Sequence, residues 1–253
     1  MATIATTPQR RTLAGRFYVT MAAIFASIAF SGFFMTYWLQ VARGTFNGSP
    51  MLHLHGLLFS FWTLFFLSQV VLMANGQRRN HRTWGLLGIS LATAMLFTGL
   101  AVAIQGLEAR LDAGYGDAAR AFSIVPISGI LLFAGLVTAA ISNLKRPEWH
   151  KRLMLVATAG ILQAAVARFF FLAATGGGGP GMRPGGGPPM PVENTIVAGF
   201  IVASLVVAAM IHDWRSHRRV HPAYWWGFGA MMLVQLSRPL LDQTEAWYRI
   251  AHF

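Results

Sequence analysis

The chain has 253 residues, 55% of them hydrophobic and only 11% charged, a balance that excludes an ordinary soluble domain and points to a membrane bundle. Its net charge of +12 lies in short clusters between apolar runs, so anionic lipid, and not nucleic acid, is the partner this charge implies. The absence of cysteine excludes disulfides, thiolate metal sites, Fe–S clusters and covalently attached c-type haem.

Seven helices are predicted, at about 15–38, 51–74, 84–105, 122–143, 152–174, 194–212 and 222–241, each near the ~20 residues that a hydrocarbon core requires. The expected fold is an all-α integral membrane protein, a seven-transmembrane helix bundle over 15–241 between an N-terminal tail (1–14) and a C-terminal tail (242–253). Arg10, Arg11 and Arg16 precede the first span, whose apolar run is too long for a signal peptide and reads as uncleaved. The second span opens with His53-Leu54-His55-Gly56. These two histidines point about 200° apart on a helix, and His53 shares its face with Gly56, Ser60 and Thr63, which predicts it as the inward one.

Three turns repeat one signature, basic residues around a single histidine between apolar runs: Arg78 to Gly88 around His81, Lys145 to Leu155 around His150, and Arg218 to Gly227 around His221. Either a repeated hairpin or positive-inside selection on each turn accounts for the likeness. Gly85, Gly88, Ala92, Met95 and Gly99 follow His81 along one helical stripe, open to a flat cofactor or to a neighbouring helix. The loop 175–192 is so rich in glycine and proline that a mobile outer flap is expected. Its Met182 and Met190 are candidate soft ligands for copper.

Orientation follows from the basic residues. With the N-terminus cytoplasmic and the C-terminus outside, thirteen of the twenty Lys and Arg face the cytoplasm, while Glu108, Asp112, Asp117, Glu193, Asp242 and Glu245 lie outside. Trp84, Trp149, Trp214, Trp225 and Trp226 mark the inner interface, and Trp38 and Trp247 the outer one. The expected location is the bacterial inner membrane.

Candidate chemistry divides by depth. At the inner level His81, His150 and His221 open spans and His212 closes one. Four imidazoles at one depth would hold a haem axially or bind a metal ion; the plainer reading is polar rings at headgroup depth. In the outer half Arg168 and Arg238 lie about 23–27 Å along their helices, where a cation is a functional hypothesis unless it snorkels to the headgroups. Eighteen residues, about five turns, separate His150 from Arg168 and predict one shared face. Arg238 has Gln235 one turn before it and Asp242 one turn after, the latter expected as its ion-pair partner. His53 or His55 with Arg168, Arg238, Gln163 and Gln235 would form an outer pocket for a haem propionate, a quinone carbonyl or another anionic group. His53 and His55, with the two methionines, are the alternative copper ligands. No lysine lies in any span, which excludes a retinal Schiff base, and no HExxH motif, histidine box or intramembrane carboxylate pair is present.

The residues His55, His81, Arg82, Gly85, His150, Lys151, Met154 and Arg168 resemble the HRxxG and HRxxM pattern of a family of uncharacterised bacterial multi-helix membrane proteins. The likeness covers roughly residues 50 to 175, with Lys151 where that family more often has arginine. More distantly, the histidine layout is similar to cytochrome b561 and haem A synthase, b-type haem bundles. That resemblance implies haem b, electron transfer and a quinone or other redox partner. The residues alone leave four readings open: haem-linked redox, copper binding or transport, capture of an anionic small molecule or lipid, and a scaffold or subunit with no site of its own. A homo-oligomer is compatible with each.

Overall fold

A computed structural model describes residues 8–175 and 187–251. Residues 176–186, with Met182 and most of the expected flap, lie outside them, as does the start of the N-terminal tail. Among the described residues all regular structure is helical. Helix α1 (Pro8–Phe33) passes through a π-helical turn (Phe34–Trp38) into a short α2 (Leu39–Ala42). There follow α3 (Pro50–Ala74), α4 (Arg78–Asp112), α5 (Gly116–Ser142), α6 (Pro147–Gly160), α7 (Gln163–Thr175), α8 (Thr195–His217), α9 (Pro222–Leu241) and α10 (Glu245–Ile250).

Among the described residues six stretches are long and apolar enough to cross a membrane: Gly15–Ala42, Pro50–Ala74, Arg78–Asp112, Gly116–Ser142, Pro147–Ala173 and Val192–His217. The chain therefore has the build of a multi-pass membrane protein. Helix α9 is not among the six: Tyr224, Trp225, Trp226, Gly227 and Gly229 make its first half only weakly apolar, and Gln235 and Arg238 interrupt its second.

The helix starts are written locally. Pro50, Pro147 and Pro222 each stand at a first helical position, where the missing N–H has no intrahelical partner to lose. Ser49 caps α3 by accepting from the Leu52 amide at 3.3 Å. His81 and His150 fall in the first turns of α4 and α6, inside regular helix and not in the connecting turns.

Three short turns, after α3, α5 and α8, gather at one end of the bundle, the basic end. His81 and His150 stand with ring centroids 6.3 Å apart, and Trp149 and His221 with centroids 5.5 Å apart. Sequential helices α3, α4, α5 and α6 pack side by side. The broken helix α6–α7 runs through the interior, touching α1, α5, α8 and α9. Leu155, Val156, Ala157, Thr158 and Ala159 on α6 are all essentially inaccessible. Against them lies Trp62 of α3, whose indole N–H donates to Thr158 Oγ1 at 3.3 Å and whose ring meets Phe133 of α5 edge-on.

Helices approach most closely at glycines, as expected where lipid supplies no hydrophobic drive and backbone proximity supplies the packing. A Cβ on Gly32 of α1 would lie 2.5 Å from the Ala165 carbonyl oxygen of α7, a backbone atom that cannot step aside. Gly32→Ala must push α1 off α7 and is expected to destabilise by about 1–3 kcal/mol. Gly135→Ala, which meets nothing within 4 Å, is the matched control. Thermal unfolding of the detergent-solubilised variants should show a lower midpoint for the first and little change for the second.

Candidate functional site

The strongest polar assembly lies at the basic end. Arg152 of α6 and Asp213 of α8 are each 3% exposed at the side chain and pair bidentately, with Nε donating to Oδ2 at 3.1 Å and Nη2 to Oδ1. Arg152 Nη1 also donates to the Glu148 backbone carbonyl at 2.9 Å and to its carboxylate, which Lys151 holds at 2.8 Å. Asp213 accepts in addition from the His221 amide at 2.9 Å, so one carboxylate ties α8 to both α6 and the start of α9. Beneath it Tyr18 of α1 and Tyr224 of α9 bring their hydroxyls to 3.4 Å.

That assembly absorbs two of the expected metal ligands. His221 is the N-cap of α9: its Nδ1 accepts from the Ala223 amide at 3.1 Å. Burial, and then the Arg152 cation, hold its imidazole pKa below the usual histidine value, which keeps that nitrogen an acceptor. His212 stacks flat on Phe17 at 3.7 Å between centroids. The four basic-end imidazoles do not converge, and among the described residues no three His, Asp or Glu side chains form a group that could hold a metal ion.

What remains is the pair His81 and His150. His150 places Nδ1 3.0 Å from the Ala140 carbonyl oxygen of α5. A carbonyl only accepts, so Nδ1 carries the proton and Nε2 is the free lone pair. His81 Nδ1 is buried with no hydrogen-bond partner, and so is Oε1 of Gln69, which lies two turns from Trp62 toward the same end of α3.

The expected outer pocket is divided. Arg168 on α7 turns to α1: Nε donates to Thr36 Oγ1 at 3.1 Å, and the guanidinium carbon sits 4.1 Å from the Phe33 ring centroid. Thr36 and Tyr37 belong to the π-helical turn, where the extra residue per turn re-aims side chains. Tyr37 places its hydroxyl 3.2 Å from His53 Nδ1, and its ring fills the space a Cβ on Gly56 would need. His55 rests on the Phe59 ring with Nδ1 buried and unpartnered, and it is the histidine within electrostatic range of Arg168. His53 and His55 thus have separate surroundings, as their divergence on the helix requires.

Arg238 belongs to the other half of the divided pocket. It is 3% exposed, and its Nε donates to Ser128 Oγ of α5 at 2.9 Å. Nη1 donates to Gln163 Oε1 of α7 at 2.9 Å and Gln235 Oε1 at 2.8 Å. Both glutamine amides donate in turn to the Thr195 carbonyl, at 3.0 and 3.2 Å, which fixes their oxygens toward the arginine. The expected Arg238–Asp242 pair does not form. Side chains on a helix lean toward its N-terminus, so Arg238 reaches back to Gln235 and away from Asp242. Asp242 is buried with Oδ1 unpartnered, and burial, then the charge of Glu193, hold its carboxyl pKa above the usual range.

Removing one member of a buried ion pair strands the other charge. Asp213→Ala is expected to cost about 3–5 kcal/mol, with much of it recovered in an Arg152→Met/Asp213→Leu double variant that leaves no buried charge behind, since half-exposed Glu148 keeps Lys151. Chemical unfolding of the three proteins in matched detergent checks both values; equal losses in single and double variants would count against the pair. No protein-family model, no curated protein and no solved structure matches this chain, so the site is read from its own geometry.

Proposed function

We propose that the chain is a bacterial inner-membrane redox protein that binds haem b between His81 and His150 and exchanges electrons with quinone or another redox partner. α9 serves as a seventh span, so the N-terminus is cytoplasmic and the C-terminus outside. The charge distribution supports that orientation, with thirteen of twenty basic residues at one end.

The observation that carries the reading is the spacing of the histidine pair. If both imidazoles held one metal, each through a nitrogen about 2 Å from it, their ring centroids would stand about 6 Å apart. His81 and His150 stand at 6.3 Å. Metal-bound histidines commonly donate their second N–H to a backbone carbonyl, which fixes ring and tautomer, and the Ala140 carbonyl is placed to do this for His150. The unpartnered His81 nitrogen is a buried polar atom that a bound group would explain. Gly85, one turn beyond His81, has nothing within 4 Å of where a side chain would begin. Arg78, Arg79, Arg82 and Arg146 flank the pair in sequence and are cations suited to propionate carboxylates. Bound there, haem would supply one-electron transfer; the histidines would set its position and potential.

The visible spectrum of the purified protein in mild detergent, oxidised and then dithionite-reduced, tests the reading. A Soret band with a sharpened α-band on reduction is expected, lost in His81→Ala and His150→Ala but kept in His212→Ala and His221→Ala. A colourless wild-type protein that takes up no added haemin would sink the proposal.

A further inference from the structure

Arg238 is a buried cation with only neutral partners. Among the described residues no carboxylate lies within ion-pair distance of it, in contrast to Arg152 at the basic end. Ser128, Gln163 and Gln235 offer it oxygen dipoles but no charge. An arginine does not escape that imbalance by giving up its proton, because it stays charged across the accessible pH range. In a low-dielectric interior one unopposed positive charge is costly, and a single negative charge beside it is correspondingly favoured.

The space for such a charge is present. A cavity of about 20 Å³ is lined by Arg238, Gln163 and Gln235 together with Gly129 of α5, Gly160 of α6 and Gly199 of α8. Glycines from three helices keep it open. A Cβ on Gly129 would lie 3.5 Å from Arg238 Nη2, which places that nitrogen over the glycine at the cavity wall. The water-accessible space is small, about 20 Å³, so it suits a compact ion better than a carboxylate or phosphate with its substituents. The rest of the lining includes Leu132, Val202 and Met231. Such walls favour a large, weakly hydrated ion over a small, strongly hydrated one, because less hydration is lost on entry.

We propose that this cavity is a binding site for one monoatomic anion of the halide class, held by the Arg238 guanidinium. The site is separate from the histidine pair and stands whether or not haem is bound there. A halide at this point neutralises the Arg238 charge between α5, α7 and α9, so the fold should be more stable in chloride than in a large anion such as gluconate.

The full chain, purified in mild detergent and exchanged into sodium gluconate, is titrated with sodium chloride and, separately, sodium bromide at fixed ionic strength, following the thermal unfolding midpoint. A saturable rise of several degrees with either halide, and none with sulfate, is expected. Gly129→Ala should abolish the rise while keeping the gluconate midpoint, because its methyl would stand at ordinary contact distance, 3.5 Å, from Arg238 Nη2 at the cavity wall. Arg238→Gln should also lose the halide response. A wild-type midpoint that is the same in gluconate and chloride overturns the proposal and leaves water as the occupant. An undiminished halide response in a folded filler variant overturns it equally.

Discussion

The bidentate pair between Arg152 and Asp213 sets the register of the interior. Two ions at 3% exposure are stable together only when each satisfies the other, so the pair permits very little sliding between α6 and α8. Because Asp213 also accepts from the His221 amide, the start of α9 is held at the same level. From there helix geometry does the rest. Thr195 stands eighteen residues before Asp213 on α8 and Arg238 seventeen after His221 on α9, about 26–27 Å along each helix. A tie at the basic end thus delivers the Thr195 carbonyl, Gln235 and Arg238 to one depth, where they bond.

The same logic explains why Arg168 and Arg238 have opposite environments. Arg168 lies on α7 against α1, where an aromatic ring, a hydroxyl and its long stem make the cation tolerable near the bundle surface. Arg238 lies where four helices meet and must be satisfied entirely by protein groups. The sequence reading placed them in one pocket because both lie at similar depth in the outer half, and it put His150 and Arg168 on one face by running an unbroken helix of five whole turns between them. The helix is broken at Ile161 and Leu162, between α6 and α7, so the phase carried from His150 is lost before Arg168. His150 faces α5 and His81, whereas Arg168 faces α1.

Much of the architecture was legible because apolar length and charge clusters are one-dimensional signals. Six spans and the histidines flanking their turns follow from them, and Gln163, Gln235 and Arg238 were expected to share a pocket. The contacts that organise the interior are three-dimensional and were mostly hidden. Arg152 looked like any cation of a basic turn. Only one signal marked it: Glu148 and Asp213 are the two acids among eight that break the outer bias, and both lie beside basic-end histidines. The Asp242 expectation failed on direction, since spacing on a helix gives neighbours but the Cβ tilt decides which neighbour a long side chain reaches. Thr36 and Tyr37 were invisible because a π-helical turn leaves no clear trace in hydropathy.

The polar groups of this bundle fall into two kinds. Those at the Arg152 network have partners of opposite charge and complete hydrogen bonding, and they are accounted for by the fold alone. His150 and Arg238 are different, since each is held in place by a bond to one side and left open on another. His150 is oriented by a carbonyl while its second nitrogen is free; Arg238 is gripped at Nε and Nη1 while Nη2 lies at a cavity wall. Burying a polar group costs free energy unless its bonds are completed, so an interior that fixes the orientation of such groups without completing them is preorganised for something else to do so. That asymmetry separates the parts of this chain that hold its shape from the parts positioned to bind.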